Sequence, residues 1–477
     1  MIKIALVGHE FRYEAFQIAS LFYEKNEFQF VDYDEADYYS IYDENAKTCT
    51  FKSKDSTLMY EEIVDDTKKN IKIGLKSSMI NALKSITGKE IPWGILIGIR
   101  PTKLYHEFVS MGMVDEEIKE VLINKYYLNP DKADLLIEVA KGEKPFLTYE
   151  DGSVSVYIGI PFCPTRCVYC SFTSNPIGTN KHLVDDYLSA LVKEINYTFS
   201  LIKDKGIKVD TLYIGGGTPT SLNEKQLEIL LKTVSENIET DRIREYTVEA
   251  GRPDSINEEK LKLIKKYGAT RISINPQTMS DETLKNIGRT HTSSDIKDKF
   301  NIARSLGFDN INMDIIIGLP GETANHVETT ISEIKQLNPD SITIHTMAIK
   351  RASKLCEDGY SIENSEAKNM YDVAVNGVIS MGMKPYYMYR QKNMVSPLEN
   401  IGYSYRGKES IYNVQMISEN ISIIGLGADS VSKAIYRDEN RLERIANLKD
   451  VREYIKRIDE ILGNKKKALD MVEESFR

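Results

Sequence analysis

The sequence predicts an α/β protein with three regions: an N-terminal α+β domain over residues 1–145, a partial (β/α)6 barrel over residues 146–350, and a mostly helical accessory domain over residues 351–477. The main observation is a set of six apolar, β-branched runs in the middle region. They lie at residues 154–160, 210–214, 246–250, 271–275, 310–317 and 341–346. Helical patterns lie between them, at residues 184–202, 224–238 and 258–267. Strands that alternate with helices pair in parallel through right-handed crossovers, and six such units are too few to close an eight-stranded barrel.

Shorter patterns define the two flanking regions. Strand-like runs at residues 2–7 and 28–33, a helix at 10–24 and two helices between 115 and 141 predict the N-terminal α+β domain. The stretch Lys-Gly-Glu-Lys-Pro at residues 141–145 predicts a linker or a domain edge. Beyond residue 350, three features predict a capping or substrate domain. These are a Tyr- and Met-rich stretch at 381–394, a strand at 421–424, and a charged helical tail with Leu442, Ile445 and Leu448 on one apolar stripe.

Composition and charge exclude several classes of protein. Hydrophobic residues make up 41% of the chain and charged residues 28%, as in ordinary globular proteins. The net charge of −9 argues against a general nucleic-acid binder. The first apolar run reaches His9 and Glu10 too soon for a signal peptide, and no apolar run approaches the roughly 20 residues that a membrane span needs. We therefore expect a cytoplasmic protein with no nucleic-acid partner and no membrane span.

Three of the five cysteines, Cys163, Cys167 and Cys170, lie within eight residues, in the order C-x-x-x-C-x-x-C after the first barrel strand. Clustered thiols in a chain without a distributed cysteine framework indicate a metal. Three thiolates can bind three irons of a [4Fe–4S] cluster and leave the fourth iron open to a small molecule. Zinc is the alternative, but it usually takes four protein ligands, and no pair of Cys or His residues lies nearby to complete them. Cys49 and Cys356 are distant, and we interpret them as packed side chains.

Polar residues and glycines recur where the other barrel strands end. The run Gly215-Gly216-Gly217-Thr218 follows the second strand, and glycines there let the backbone approach a ligand closely. The later strand ends carry Glu249, Gln277, Asp314, and His345 with Met347. Each could be a capping or surface residue, but together they favour a site, because the C-terminal end of a parallel barrel binds ligands. Arg289, in a loop, could pair with a ligand carboxylate.

Two basic segments beyond the barrel suit a flat ring that carries carboxylates. One contains Lys350 and Arg351, and the other is Tyr-Tyr-Met-Tyr-Arg-Gln-Lys at residues 386–392. Arg351, Arg390 and Lys392 are therefore candidates for binding substrate carboxylates. The alternative is that these are solvated charges beside core aromatic residues.

With these motifs in view, the chain resembles the radical S-adenosylmethionine superfamily and, within it, the oxygen-independent coproporphyrinogen III oxidase family. The resemblance spans about residues 153–432, in the motifs at 157–172, 215–220, 248–250, 288–291 and 314–321 and at Gln277. The extra N-terminal region, with Gly-Ile-Arg-Pro-Thr-Lys at residues 98–103, resembles the coproporphyrinogen dehydrogenase branch of Gram-positive bacteria. The fold that the resemblance implies is a partial (β/α)6 radical S-adenosylmethionine barrel with accessory domains.

The resemblance also implies a cofactor set. Cys163, Cys167 and Cys170 would hold a [4Fe–4S] cluster. Tyr157 and Tyr169 would flank the cluster and S-adenosylmethionine. The methionine end of S-adenosylmethionine would be held by Gly216, Gly217 and Thr218, and the rest of it by Glu249, Gln277, Arg289 and Asp314. Met347 falls at an adenine contact, and Val431 falls where the oxidases contact a second cofactor molecule. No catalytic residue is assigned.

The implied reaction converts two propionates of coproporphyrinogen III to vinyl groups with loss of CO2, giving protoporphyrinogen IX in heme biosynthesis. Its partners would be a tetrapyrrole substrate and an electron donor of the flavodoxin or ferredoxin type. Phe172 stands where the best-known oxidases have a fourth cysteine, as in the related heme chaperones. Their His-Asn-x-x-Tyr-Trp motif is matched only by Glu399-Asn400-Ile401-Gly402-Tyr403-Ser404, which lacks the heme-binding His. A heme chaperone, and a radical enzyme that opens the heme ring after methyl transfer, remain the alternatives.

Overall fold

A computed structural model describes residues 1–24, 26–65, 67–98, 100–170, 174–350 and 353–476. The chain forms two compact units, Met1–Ala140 and Lys141–Arg477. In the part of the chain that is described, no helix is long and apolar enough to cross a membrane. Each unit is built around its own β-sheet.

The N-terminal unit is an α+β fold, as the sequence predicts. Its elements are β1 (Ile2–Val7), α1 (Arg12–Phe22), β2 (Phe28–Phe30), β3 (Tyr38–Asp43), β4 (Thr48–Ser53), β5 (Met59–Ile63), α2 (Lys68–Thr87), α3 (Thr102–Ser110), α4 (Asp115–Asn124) and, at the boundary with the second unit, α5 (Pro130–Glu143). The sheet order is β2-β1-β3-β4-β5, parallel around β1 and antiparallel from β3 to β5. Helix α2 starts at Thr67, whose side chain accepts from Asn70 N, and ends at Gly88 in the left-handed region. Cys49 is buried against Ile71 and Leu75 of this helix.

The second unit begins with the barrel region. Its elements are β6 (Ser153–Ile160), β7 (Phe162–Cys163), β8 (Asn175–Pro176), α6 (Ile177–Asn180), α7 (Val184–Asp204), β9 (Lys208–Gly216), α8 (Glu224–Asn237), β10 (Glu245–Glu249), α9 (Glu258–Lys266), β11 (Arg271–Ser273), α10 (Asp281–Asn286), α11 (Ser293–Ser305), β12 (Ile311–Ile317), α12 (Ala324–Leu337) and β13 (Ser341–Thr346). Short 3-10 helices lie at Lys144–Phe146, Lys181–Leu183, Pro219–Ser221 and Pro253–Ser255 in this unit, and at Tyr33–Glu35 in the N-terminal unit.

Six parallel strands form the barrel wall in the order β6-β9-β10-β11-β12-β13. Each is joined to the next by a segment that contains one or more helices, so their C-terminal ends meet at one edge of the sheet. The strands are rich in buried β-branched residues because helices or inward-facing side chains cover both faces. The α/β class and the partial six-unit barrel predicted from the sequence are confirmed.

The C-terminal region adds strands to the same sheet. Its elements are α13 (Lys354–Glu357), α14 (Asn364–Ser380), β14 (Lys384–Tyr389), β15 (Asn400–Ser404), α15 (Ile411–Ser418), β16 (Ile423–Leu426), β17 (Val431–Tyr436), β18 (Arg441–Ala446), α16 (Val451–Lys456) and α17 (Ile458–Glu474). Helices supply most of its regular structure, in line with the prediction. Strand β15 pairs antiparallel with β13, and β16 pairs parallel with β6, so the sheet continues beyond the barrel strands on both sides.

One local prediction is wrong. Leu442 and Ile445, placed on a helical stripe by the sequence pattern, lie in β18, which pairs antiparallel with β17. The reversal uses Asn440 in the left-handed region, and β18 is the last strand of the sheet. Edge strands commonly carry charged side chains, and the charges in this strand are spaced as they would be on an exposed helix. The pattern therefore predicted a helix.

Candidate active site

The C-terminal ends of the barrel strands surround a cavity of about 720 Å³. Every barrel strand or the loop that follows it contributes to the wall, and strands β14 to β17 together with α15 contribute the remainder. The cavity has the size of a typical ligand or cofactor pocket and lies where parallel barrels place their active sites.

The three clustered cysteines line this cavity together. Cys163 ends β7, and the loop that follows carries Cys167 and Cys170. Cys163 and Cys167 are buried, and Cys170 is partly exposed. Burial raises the pKa of the Cys163 thiol to about 11, although a hydrogen bond with Thr218 opposes the shift. Within the described ranges no three Cys, His, Asp or Glu side chains converge on one metal-ion position. Thiolates that each bind a different iron of a cluster do not need to converge in this way.

The glycine run after β9 lets the cysteine loop lie close to the barrel. A Cβ atom on Gly217 would lie 2.6 Å from the carbonyl oxygen of Phe162 and 3.0 Å from Cys163 Sγ. Gly216 has φ of +108°, which side chains rarely adopt. The backbone amides of Gly217 and Thr218 donate to the carbonyls of Ile160 and Phe162, both at 2.8 Å. Side chains are therefore excluded here, and backbone atoms form this part of the wall.

Two carboxyl groups face the cavity in different protonation states. The hydroxyl of Tyr213 donates to Glu249 Oε1 at 2.6 Å, but burial, together with the charge of Asp314, raises the pKa of Glu249 to about 7. Burial alone would raise the pKa of Asp314 as well. Hydrogen bonding and charge from His345, with donors such as Asn312, instead hold it below its ordinary value. Asp314 is thus ionised at neutral pH, and Glu249 lies close to its midpoint.

Gln277 and Arg289 are held in position by the barrel backbone. Gln277 has a φ of +68°, a conformation that costs a non-glycine residue on the order of 1–2 kcal/mol. Two hydrogen bonds to β12 hold it there: its amide donates to the carbonyl of Asp314 at 2.9 Å, and its carbonyl accepts from Ile316 N at 3.0 Å. Arg289 is buried and donates to Asn275 O at 2.7 Å and to Tyr169 Oη at 3.2 Å. Its buried Nε has no hydrogen-bond partner, so the group suits a ligand carboxylate.

The residues predicted to bind S-adenosylmethionine all reach this one cavity. They are Tyr157, Tyr169, Gly216, Gly217, Thr218, Glu249, Gln277, Arg289, Asp314, Met347 and Val431. The structure therefore brings them together with Cys163, Cys167 and Cys170, although their individual roles stay predictions. Three features fit the cofactors: a set of thiol donors, a glycine surface beside them, and an unpaired guanidinium nitrogen.

The predicted substrate residues are placed differently. Arg351 lies outside the described residues, as does Phe172. Of the described residues, Arg390 and Lys392 do not contribute to the cavity wall. Arg390 is half-buried, and its Nε donates to the carbonyl of Leu398 at 3.4 Å. Burial lowers the pKa of Arg390 to about 10. Lys392 is exposed.

Several wall residues were missed by the sequence reasoning. They include Tyr213, Arg252, Asn275, Asn312, Tyr412 and Lys433, whereas Tyr387 and Tyr389 lie in the aromatic segment that the sequence singled out. Strand alternation could have found some of them: Asn312 lies two positions before Asp314 in β12, and side chains two apart face the same side. Arg252 lies in a loop, where no periodicity applies. Tyr412, on α15, stacks on Tyr213 with ring centroids 4.7 Å apart, a contact that no local pattern encodes.

Comparison with known proteins places this geometry in a family. The Radical SAM superfamily model matches residues 157–334. The oxygen-independent coproporphyrinogen-III oxidase-like protein HemZ of Bacillus subtilis is 38% identical over 476 residues, covering 96% of this chain and 95% of that protein. The heme chaperone HemW of the same organism is 32% identical over 280 residues, covering 57% of this chain and 69% of the chaperone.

A solved structure shares the fold. Coproporphyrinogen III oxidase (HemN) from Escherichia coli aligns with a TM-score of 0.52 at 23% identity, over 68% of this chain and 73% of the oxidase. The cofactors predicted from the sequence, a [4Fe–4S] cluster and S-adenosylmethionine, are confirmed. Because the match to HemZ of Bacillus subtilis spans nearly the whole of both chains, this chain belongs to the oxygen-independent coproporphyrinogen-III oxidase-like family of the radical S-adenosylmethionine superfamily.

Proposed function

We propose that this chain is an oxidoreductase that decarboxylates two propionate side chains of coproporphyrinogen III to vinyl groups, giving protoporphyrinogen IX without oxygen. The observation that carries the proposal is one cavity in which the cofactor residues and a tyrosine-rich, cationic surface lie together. The whole-length relationship to a coproporphyrinogen-III oxidase-like protein supports it. The electron that reduces the cluster would come from a small carrier protein of the flavodoxin or ferredoxin type.

The aromatic residues of the cavity suit the pyrrole rings of a tetrapyrrole. Tyr157, Tyr213 and Tyr412 lie nearly parallel, with centroids 6.2 Å apart for the first pair and 4.7 Å for the second. Tyr387 and Tyr389 form a second parallel pair on β14, 6.5 Å apart. Such ring faces stack on conjugated or pyrrole rings and exclude water from the space between them.

The cationic residues of the cavity suit the carboxylates of such a substrate. Lys350 and Lys433 both line the wall, and Lys433 Nζ lies 3.7 Å from Glu419 Oε1. Ammonium groups that face a partly dry cavity form charge-assisted hydrogen bonds with propionates. His345 adds a polar contact, because its Nδ1 lies 3.2 Å from Tyr389 Oη and its Nε2 lies 3.7 Å from Asp314 Oδ2.

When bound, the cluster and S-adenosylmethionine supply one-electron chemistry that can take a hydrogen atom from a saturated carbon. The residues of this chain have other tasks. They hold the cofactor with backbone and polar groups on the barrel side, and they hold the propionate to be attacked close to it. They also keep water from the reacting carbon.

A heme chaperone is the second candidate, since the Bacillus subtilis chaperone is 32% identical over part of the chain. In the segment that matches the chaperone motif, Glu399 stands where the heme-binding His would be. Glu399 has no exposed surface. Asn400 accepts from the amide of Thr346 at 2.8 Å, so this segment has a structural connection to β13. The absence of His at position 399 favours the enzyme over the chaperone.

An anaerobic assay separates these functions. Protein reconstituted with iron and sulfide is incubated with a reductant, S-adenosylmethionine and coproporphyrinogen III, and the products are oxidised to porphyrins and separated by chromatography. We expect the tripropionate intermediate and protoporphyrin, and neither with Cys167→Ala. Stoichiometric heme binding with no decarboxylated product would favour the chaperone. Consumption of added heme would favour ring opening.

A further inference from the structure

Arg252 brings a buried positive charge to one of the cluster ligands. It lies in the loop after β10 and is 3% exposed. Its Nη1 donates to Cys167 Sγ at 3.4 Å and also to Thr165 Oγ1 at 3.0 Å. The guanidinium is therefore held against the inner side of the cysteine loop, in contact with the sulfur that binds iron.

Asp254 fixes the orientation of this guanidinium. Arg252 Nε donates to Asp254 Oδ1 at 3.0 Å, and Nη2 donates to Oδ2 at 2.6 Å, so the pair is bidentate. Thr290 Oγ1 donates to the same carboxylate at 2.6 Å, and His291 Nδ1 lies 3.7 Å from it. With two of its nitrogens held in this fork, Arg252 keeps Nη1 directed at the sulfur.

The cysteine loop has other attachments to the barrel. Thr165 Oγ1 donates to the carbonyl of Gly288 at 2.6 Å, and Val168 N donates to the carbonyl of Ile287 at 3.2 Å. Arg289, the second guanidinium close to Cys167, directs two nitrogens to Asn275 and Tyr169. The contact between Arg252 and Cys167 is thus an addition to a loop that is already held.

A cation at this position acts on the cluster electrostatically. A cluster with three thiolate ligands gains one negative charge on reduction, and hydrogen bonds to its sulfurs and nearby charges set its reduction potential. The guanidinium stays charged at every working pH. An N–H group that donates to a cluster sulfur stabilises the reduced form more than the oxidised form.

We propose that Arg252 is a positioning residue that raises the reduction potential of the [4Fe–4S] cluster through its contact with Cys167, and that Asp254 limits the increase by partly neutralising the guanidinium. The inference depends on the cluster and on these residues, and it holds whichever tetrapyrrole is the substrate. It predicts shifts of opposite sign when the cation and the anion are removed. A loss of local structure would not produce that pattern.

The test is a redox titration of the reconstituted protein, followed by the paramagnetic resonance signal of the reduced cluster, without S-adenosylmethionine or substrate. At the potential where the wild type is half reduced, Arg252→Gln should lower the ratio of reduced to oxidised cluster at least tenfold, a shift of about 59 mV for one electron. Arg252→Lys, which keeps the charge, should stay within about threefold of the wild type. Asp254→Asn removes the negative charge but keeps one oxygen that accepts from Arg252, and Thr165 still accepts from Nη1, so this variant should increase the ratio.

Arg244→Gln is the matched control. Arg244 forms the same kind of fork with Asp210, with both nitrogens at 2.7 Å, and neither residue lines the described cavity wall. Its variant should leave the potential unchanged. A wild-type potential in Arg252→Gln, shifts of one sign in Arg252→Gln and Asp254→Asn, or an equal shift in Arg244→Gln would overturn the proposal. If Arg252→Gln binds too little iron to titrate, the other two variants decide. Arg252→Lys must then keep the wild-type potential and Asp254→Asn must raise the potential; failure of either result overturns the proposal.

Discussion

The two parts of the cavity wall differ in chemistry and in the way the backbone presents them. The barrel part, from β6 to β13, supplies thiols, glycine backbone and polar groups such as Gln277 and Asp314. The C-terminal part, from β14, α15 and β17, supplies rings and a cation: Tyr387, Tyr389, Tyr412 and Lys433. The first set suits a small polar cofactor with a carboxylate, and the second suits a larger molecule that carries planar rings and carboxylates.

The difference follows from strand geometry. Parallel strands end at one edge of the sheet, so the residue at each end, or just beyond it, reaches the same space. In β14 the alternation of side chains decides which residues take part. Tyr387 and Tyr389, two positions apart, both line the cavity, while Met388 between them does not. In the barrel part the strand ends mark the site and alternation adds residues such as Asn312, whereas in β14 alternation alone separates the wall residues from the others.

The largest expected effect concerns the barrel part. Replacing Cys163, Cys167 or Cys170 by Ala removes an iron ligand, and we expect each variant to lose the [4Fe–4S] signal. Iron content and absorbance after anaerobic reconstitution measure this. Cys49→Ala and Cys356→Ala are the controls, since one thiol is buried in the N-terminal unit and the other is exposed away from the cavity wall. Full iron content in any of the first three variants would contradict the assignment.

The next effect separates cofactor binding from cluster binding within the barrel part. Asp314→Ala and Gln277→Ala should each weaken S-adenosylmethionine binding while iron content stays at the wild-type level. Loss of a charge-assisted hydrogen bond costs about 1.5–3 kcal/mol, so the dissociation constant of the Asp314 variant should rise roughly 10- to 100-fold. Equilibrium binding to the oxidised, reconstituted protein measures it. Wild-type affinity in both variants would mean that the barrel end binds something else.

The sequence was most informative where one local rule set the geometry. The glycine run and the polar residues Glu249 and Asp314 lie where predicted strands end, and the cysteines form a compact motif, so these residues of the barrel part could be named in advance. Asn312, which also lines the wall, could not be named from a strand end. The six-strand order was predictable for the same reason. Strand β11, although only three residues long, was predictable because its apolar run follows the helical pattern at residues 258–267.

The rest depends on contacts between residues far apart in sequence. Tyr412 reaches the cavity because α15 lies between two strands that flank the barrel on opposite sides, an arrangement that no local pattern contains. Arg252 contacts Cys167 across 85 positions. The composition of the basic segment around Arg390 predicts a ligand site, but it does not show which of the alternating side chains face the cavity.

A smaller effect tests the C-terminal part. Tyr389→Ala should raise the KM for coproporphyrinogen III roughly 3- to 10-fold, because a ring stack is worth about 0.5–1.5 kcal/mol beyond the area that it buries. Tyr389→Phe should keep most of this affinity if the ring matters more than its contact with His345. Arg390→Gln and Lys392→Gln, which alter cations away from the wall, should change the KM by less than about twofold. The dissociation constant for S-adenosylmethionine should stay unchanged in all four variants.

A larger increase in KM for Arg390→Gln than for Tyr389→Ala would contradict this assignment. It would mean that Arg390, and not the ring of Tyr389, contacts the substrate. Arg390 is half-buried, so its variant is first checked for a wild-type unfolding temperature and iron content. Lys392, exposed and close in sequence, shows whether a lost charge alone changes the KM. A rise with Lys392→Gln equal to that with Tyr389→Ala would mean that long-range charge, and not ring contact, attracts the substrate.

The smallest effect concerns Glu249, whose pKa is raised to about 7 by burial. Below about pH 4.5 the carboxyl is neutral in the folded and unfolded chains, and no difference arises. Between about pH 4.5 and 7 the unfolded chain releases this proton and the folded chain keeps it, so the free energy of unfolding falls as pH rises. Glu249→Gln removes that loss and can still accept from Tyr213. The free energy of unfolding of the cofactor-free variant, measured relative to the wild type, should therefore increase by about 2 kcal/mol from pH 5 to pH 8.

Chemical unfolding of both proteins at the two pH values measures this gain, and a surface carboxylate provides the contrast. Glu228 Oε1 accepts from Lys266 Nζ at 3.0 Å, and this hydrogen bond lowers the pKa of Glu228. A lowered carboxyl pKa stabilises the fold above the unfolded value, so Glu228→Gln should show no gain as pH rises. If Glu249→Gln behaves like Glu228→Gln, then the carboxyl is solvated in the cofactor-free protein. The barrel part would then be open to water before S-adenosylmethionine binds, and exclusion of water would depend on the bound ligands.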